Sequence, residues 1–131
     1  MIEQGSGVIL HLNSASGAGA MLGMGSTGPA DAAVEAFMRY LAAELGPHGV
    51  RVCGIWTAGV VETPSKEKLT AVGGEDTPDP QSVEEMIAGM SALRRAPRLA
   101  DVSEVAAFLA SGRAAGITGT MTNVTSGLVL R

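Results

Sequence analysis

Two short apolar runs, residues 8–12 (VILHL) and 50–56 (VRVCGIW), flank one long segment of helical periodicity. This order constrains the chain more than any other feature. The first run is β-branched and bounded by Gly7 and by Asn13-Ser14, which predicts a strand over 7–13. Its unbroken apolarity suits a strand covered on both faces, as in a parallel sheet. Pro29 fits the first turn of a helix, where its missing N–H costs nothing. Ala30, Ala33, Val34, Phe37, Leu41 and Leu45 then form an apolar stripe, with Glu35, Arg39 and Glu44 falling away from it. Gly46-Pro47 stops the helix, predicted over 29–45, and the second run follows as a strand. Strand, helix and strand with short links make a right-handed parallel crossover.

The remainder adds a loop at 57–64, a short helix over 66–72 and an acidic, proline-rich loop at 73–80 (GGEDTPDP). A helix is expected over 82–93, with Val83, Met86, Ile87 and Met90 on one face. Asp101 and Glu104 have capping-box spacing, with Val102, Val105, Ala106 and Leu109 continuing that helix's apolar side. A last strand is expected near 121–124. Neither an internal repeat nor a dividing linker is visible, so residues 1–131 read as a single domain. The expected fold is α/β: a three-stranded parallel sheet with flanking helices, small enough to leave raw edges that oligomerisation would complete.

Charge narrows the function. The net charge is −4 and aromatic residues make up 3 %, with no basic run, which argues against nucleic-acid binding. No stretch approaches the roughly 20 apolar residues of a membrane span, and residues 1–7 (MIEQGSG) do not resemble a secretory signal, so a cytoplasmic location is expected. The single cysteine, Cys53, sits in a strand-like run and reads as a buried, inert thiol. His11 reads as a packed or interface residue of the first strand, and His48 as a solvated residue of the turn GPHG. Neither has metal-ligand spacing with Cys, Asp or Glu. Gly17, Gly19, Gly23 and Gly25 read as a tightly turning loop, and Met21 and Met24 as loop packing or pocket lining. Glu84-Glu85 and Arg94-Arg95 read as charged helix surface.

Five motifs in order carry a resemblance. They are GSGVILHLNSASG, DAAVEAFMRYLAAELGPHGVRV, TAGVVETP, ADVSEVAAFLAS and ITGTMTNVTSG. Together they resemble the carboxyl-terminal half of the classical short-chain dehydrogenases/reductases, a Rossmann-like family. No G-x-x-x-G-x-G turn follows a first strand here, so the expectation is a truncated domain without the nucleotide-binding half. MIEQGSG resembles the interior of a longer family member.

The resemblance assigns roles. In the family a serine and a tyrosine hold the substrate's carbonyl oxygen, the tyrosine moves the proton, and a lysine four residues later lowers its pKa. Ser14 matches the serine. Thirteen residues on, Thr27 stands at the tyrosine position and Asp31 at the lysine position. A threonine hydroxyl lacks phenol's pKa of about 10, and a carboxylate has the wrong sign to help an oxyanion. Tyr40 lies 13 residues beyond Thr27, roughly 20 Å along a helix, and cannot substitute; it reads as helix-interface surface. Ala58, Gly59 and Thr63 match the loop that covers the nicotinamide.

Three functions follow. The leading one is a catalytically degenerate, reductase-like protein acting through association or apolar-ligand binding, with no cofactor expected for the chain alone. The second is an NAD(P)-dependent oxidoreductase whose nucleotide half comes from a partner chain or a longer protein. The third is a cofactor-independent isomerase or lyase using Ser14 and Asp31, for which Asp31 must face a closed cavity. The reading preferred for Asp31 is instead capping of its helix N-terminus. A Ser14–His11–Asp31 triad lacks a nucleophile elbow. A homo-oligomer is expected, through the open edge at 7–13 and through helix 29–45, which the resemblance marks as a dimer surface.

Overall fold

The computed structural model describes residues 1–19 and 25–130. β1 (Gly7–Ser14), α1 (Thr27–Leu45) and β2 (Val50–Thr57) come first. α2 (Lys66–Gly73), α3 (Pro80–Met90), α4 (Leu99–Ala110) and β3 (Thr120–Val124) follow. The sheet is the expected one: three parallel strands in the order β1-β2-β3.

β2 is mostly apolar because both of its faces are covered. Val52 packs with Met38 and Ala42 of α1, and Ile9, Leu41, Leu45 and Met121 surround them. Cys53 and Ile55 point the other way, to Val102 and Leu109 of α4. Burying one such Val, Leu or Ile contributes about 1.5–3 kcal/mol, so these two layers dominate the fold's stability. At Gly54 a Cβ would run into the side chains of Met121 and Met38, which is why β2 carries glycine there.

Arg51 joins the layers at the other end. Its guanidinium donates to Leu109 O (2.7 Å), Ser111 O (3.1 Å) and Ile117 O (3.2 Å). These include carbonyls at the carboxyl end of α4, where a cation is favoured.

Several boundaries and faces differ from the sequence reading. α1 buries Glu35, Met38 and Ala42, whereas Phe37 of the predicted stripe is 62 % exposed. The stripe chosen by apolarity lies on a flank of the face that meets the sheet. Glu35 was expected to point away and is 7 % exposed, because hydrogen-bond donors of β1 and β2 wait for it. α3 begins at Pro80, inside the expected loop: the Asp79 carboxylate accepts from Gln81 N (3.0 Å) and Ser82 N (3.1 Å), and proline is at home in a first turn. α4 begins at Leu99, two residues before the expected cap, and Asp101 reaches back to accept from Arg98 N (2.9 Å). Among the described residues no helix is long and apolar enough to cross a membrane.

Candidate ligand-binding site

β1 and β2 end side by side, with Ser14 paired to Thr57. Paired residues in a parallel sheet point to the same face, and that face is the one covered by α4. There the strand ends, the loop after β2 and the first turns of α4 line a cleft of about 390 Å3, open to solvent beside Leu12. Leu12, Val60, Leu99 and Val102 supply its apolar walls, and Asn13, Ser14, Thr57, Ala58, Gly59 and Thr63 line the rest.

The loop holds its shape through its own bonds. Gly59 has φ +64, and a Cβ there would meet Ile87. Thr63 donates to Val60 O from both N (3.1 Å) and Oγ1 (2.7 Å), and Val61 N donates to Pro97 O (3.2 Å). Glu62 accepts from Leu99 N (2.9 Å), so this loop also satisfies an open donor at the start of α4. The Ser14 hydroxyl accepts from Ser16 N (3.1 Å). Thr57 Oγ1 is buried without a hydrogen-bond partner among the described residues.

The opposite face carries a polar group that shares Asn13 with the cavity lining. Glu35 Oε1 accepts from Trp56 Nε1 (2.7 Å) and from Asn13 Nδ2 (3.5 Å). Asn13 Nδ2 also donates to Asp31 O (3.1 Å), and Ser16 Oγ bonds the Asp31 carboxylate. Asn13, Ser16, Glu35 and Trp56 are all buried. This group ties the carboxyl ends of β1 and β2 to α1.

The structure thus brings Ser14, Ala58, Gly59 and Thr63 to one cavity and leaves Asp31 outside its lining. Asp31 does not cap its helix either. α1 starts at Thr27 with Ser26 before it, so residue 31 lies past the free N–H groups of the first turn, and Ser16 takes its carboxylate instead. Thr27 is the first residue of α1 and likewise does not line the cavity. Tyr40 is 79 % exposed on α1, and His48 is exposed. His11 is half-buried on β1, its Nε2 without a partner among the described residues. Burial raises the Cys53 thiol above its usual pKa, with Arg51 opposing that shift, and Cys53 donates to Ile117 O (3.2 Å). Gly23, Met21 and Met24 lie outside the described residues. Among the described residues no cluster of three His, Cys, Asp or Glu could hold a metal ion.

Sequence reasoning missed Ser16, Glu35 and Thr57. Glu35 had a usable signal: it stands four residues after Asp31 and three before Met38, on the sheet-facing side of α1.

A family model described as enoyl-(acyl carrier protein) reductase matches residues 1–129. The chain is 33 % identical to sorbitol-6-phosphate 2-dehydrogenase of Klebsiella pneumoniae over 97 % of its own length and 49 % of that protein's. It is 38 % identical to an NADH-type enoyl-[acyl-carrier-protein] reductase of Nostoc sp., covering 97 % of this chain and 45 % of that one. Among solved structures, sorbitol-6-phosphate 2-dehydrogenase of Erwinia amylovora is similar with a TM-score of 0.86 at 28 % identity, over 100 % of this chain and 52 % of that one. Enoyl-acyl carrier protein reductase of Bacillus cereus, solved with NADP+, is similar with a TM-score of 0.77 at 32 % identity, over 97 % and 45 %. The chain spans about half the length of the curated relatives it matches.

Proposed function

The chain belongs to the short-chain dehydrogenase/reductase family, and from that premise we propose that it is a catalytically degenerate member acting through association and small-molecule binding. It is not, on this reading, a self-sufficient nicotinamide-dependent reductase. The carrying observation is the placement of Thr27 and Asp31. They occupy the positions of the proton donor and its cationic helper, neither lines the cavity, and the Asp31 carboxylate is engaged by Ser16.

The cavity suits the nicotinamide end of NAD(P). It has room for the ring, apolar walls for its faces, and hydroxyls at Ser14, Thr57 and Thr63 for its polar substituent. A bound cofactor would supply hydride; this chain's residues would seat the ring. Residues 1–131 carry no pyrophosphate-binding turn, so the nucleotide half would come from a longer protein or a partner chain.

That feature supports the second reading, an NAD(P)-dependent oxidoreductase completed by such a half. The isomerase or lyase reading gains nothing, because Ser14 and Asp31 do not share the cavity. Incubating the chain with NADPH and either a ketone or an enoyl thioester tests the proposal. No oxidation of NADPH above the buffer rate is expected. Steady turnover by the chain alone would overturn it.

Association has two surfaces. Among the described residues β1 has an unpaired edge of eight residues with neither lysine nor proline, the kind that invites another strand. α1 presents exposed Phe37 and Tyr40 beside exposed Ala33. The proposed assembly is a homo-oligomer built on one or both.

A further inference from the structure

We propose that the Asp31 carboxylate is a latch: by accepting from Ser16 it holds the turn after β1 shut over the buried Glu35–Trp56 pair, and through that turn it sets one edge of the cleft. Asp31 thereby has a task of its own, independent of turnover.

Ala15–Ala18 form one 3-10 turn directly after β1. Close contacts seat it on α1. Ser16 Oγ donates to the Asp31 carboxylate, and Asn13 Nδ2, just before the turn, donates to Asp31 O (3.1 Å). Gly17 lies so near the helix that a Cβ there would stand 2.8 Å from Ala32 N and 2.9 Å from Glu35 Oε1. Gly28 answers from the helix side, where a Cβ would meet Ser16 O at 3.2 Å. Glycine at both places lets the two backbones approach. Ala15 and Ser16 are buried as a result. The turn therefore roofs the Glu35 carboxylate, which accepts from Trp56 Nε1 (2.7 Å).

The side-chain bond decides whether the turn stays down. A single 3-10 turn has few bonds of its own and poor hydrogen-bond geometry. Its glycine gains backbone freedom on release. Against that, a hydrogen bond to a carboxylate is roughly twice as strong as a neutral one. Asp31 is half-buried, so water screens the bond only in part.

Ser16 carries the latch to the cleft. Its Oγ is held by Asp31, and its N donates to Ser14 Oγ (3.1 Å). Ser14 lines the cleft and Asp31 does not. The place of the Ser14 hydroxyl is thus fixed by a carboxylate on the far side of the turn.

Amide exchange on the intact chain tests this, with acrylamide quenching of Trp56 as a second readout. Trp56 is 7 % exposed and should be shielded in wild type. Ser16→Ala and Asp31→Ala are each expected to lower protection of the residue-16 amide by about tenfold or more and to increase quenching of Trp56, while the amides of β2 keep their protection. The double variant is expected to match the single ones, because both remove the same bond. Asp31→Asn keeps an acceptor for Ser16 and is expected to stay near wild type. Additive losses in the double variant overturn the latch. Equal opening in Asp31→Asn and Asp31→Ala, with none in Ser16→Ala, also overturns it, since the effect would then come from charge near the start of α1. Loss of protection in β2 in step with residue 16 overturns it too, because turn and sheet would then open only together.

Discussion

Glu35 is where the residue scale departs most from pattern. Helical spacing marked it as polar surface, yet it is buried on the sheet side of α1 with the Trp56 indole N–H 2.7 Å away. A buried carboxylate is tolerated when donors meet it, and here Asn13 and Trp56 do so. Hydrogen bonds to charged acceptors contribute about 1.5–3 kcal/mol each. Glu35→Ala, which strands the indole N–H, is therefore expected to destabilise the chain by about 2–3 kcal/mol in urea unfolding and to shift Trp56 emission. Glu35→Gln keeps an acceptor and should lose much less. Equal losses for the two variants would assign the effect to packing rather than to the bond. Periodicity could not foresee this, because it scores side chains by polarity and is blind to a donor presented by another strand. The place of Ser14 at a strand end was legible, and there it lines the cavity with Ala58, Gly59 and Thr63. Thr57 was not, since a single hydroxyl at a strand end has no spacing signature.

At the scale of elements, the strands and α1 were legible because period and punctuation agree: apolar runs bounded by glycine and Asn13-Ser14, and a helix entered near Pro29 and left at Gly46-Pro47. Starts governed by side chains reaching back were less so. α4 is the clear case. Asp101 looked like the residue before the helix, but it lies inside the first turn, accepting from Arg98 N and pairing with Arg95 (2.5 and 3.1 Å). The bond from Arg95, then that from Arg98 N, holds the Asp101 carboxyl below its ordinary pKa. A depressed folded-state pKa stabilises the fold above the unfolded value, near pH 4, and the contribution is lost as pH falls through the folded one. Asp101→Asn should thus lower the Tm at pH 7, and its Tm should fall less than that of wild type between pH 5 and pH 2. Parallel acid profiles for the two proteins would show that Asp101 does not steady α4. The Ser82 hydroxyl and N–H depress Asp79 in the same direction, so α3 adds to the acid loss in both proteins.

The whole molecule is a three-stranded parallel sheet, and its two edges are not equivalent. β3 offers five residues, TMTNV, three of them polar; β1 offers eight, and its centre is VILHL. Parallel strands are normally buried on both faces and flanked on both sides, so β1 is the edge with more to gain from a partner. α1 adds a second surface: Phe37 and Tyr40 are exposed on the helix whose opposite side meets the sheet. A large exposed apolar patch on a soluble chain marks an interface. The two surfaces predict different assemblies. A two-fold contact through α1 buries Phe37 against its own copy and is self-complementary, whereas a heterologous strand on β1 extends the sheet and leaves α1 free. Phe37→Lys with Tyr40→Lys should convert a dimer to a monomer in sedimentation without lowering the Tm of the monomer, because neither side chain packs in its core. Leu12→Lys, which puts charge on the β1 edge, should leave a dimer of the α1 type intact. If the α1 variant keeps the wild-type mass and the Leu12 variant loses it, association runs through the sheet edge. A wild type that sediments as a monomer at every concentration would remove the association proposal altogether.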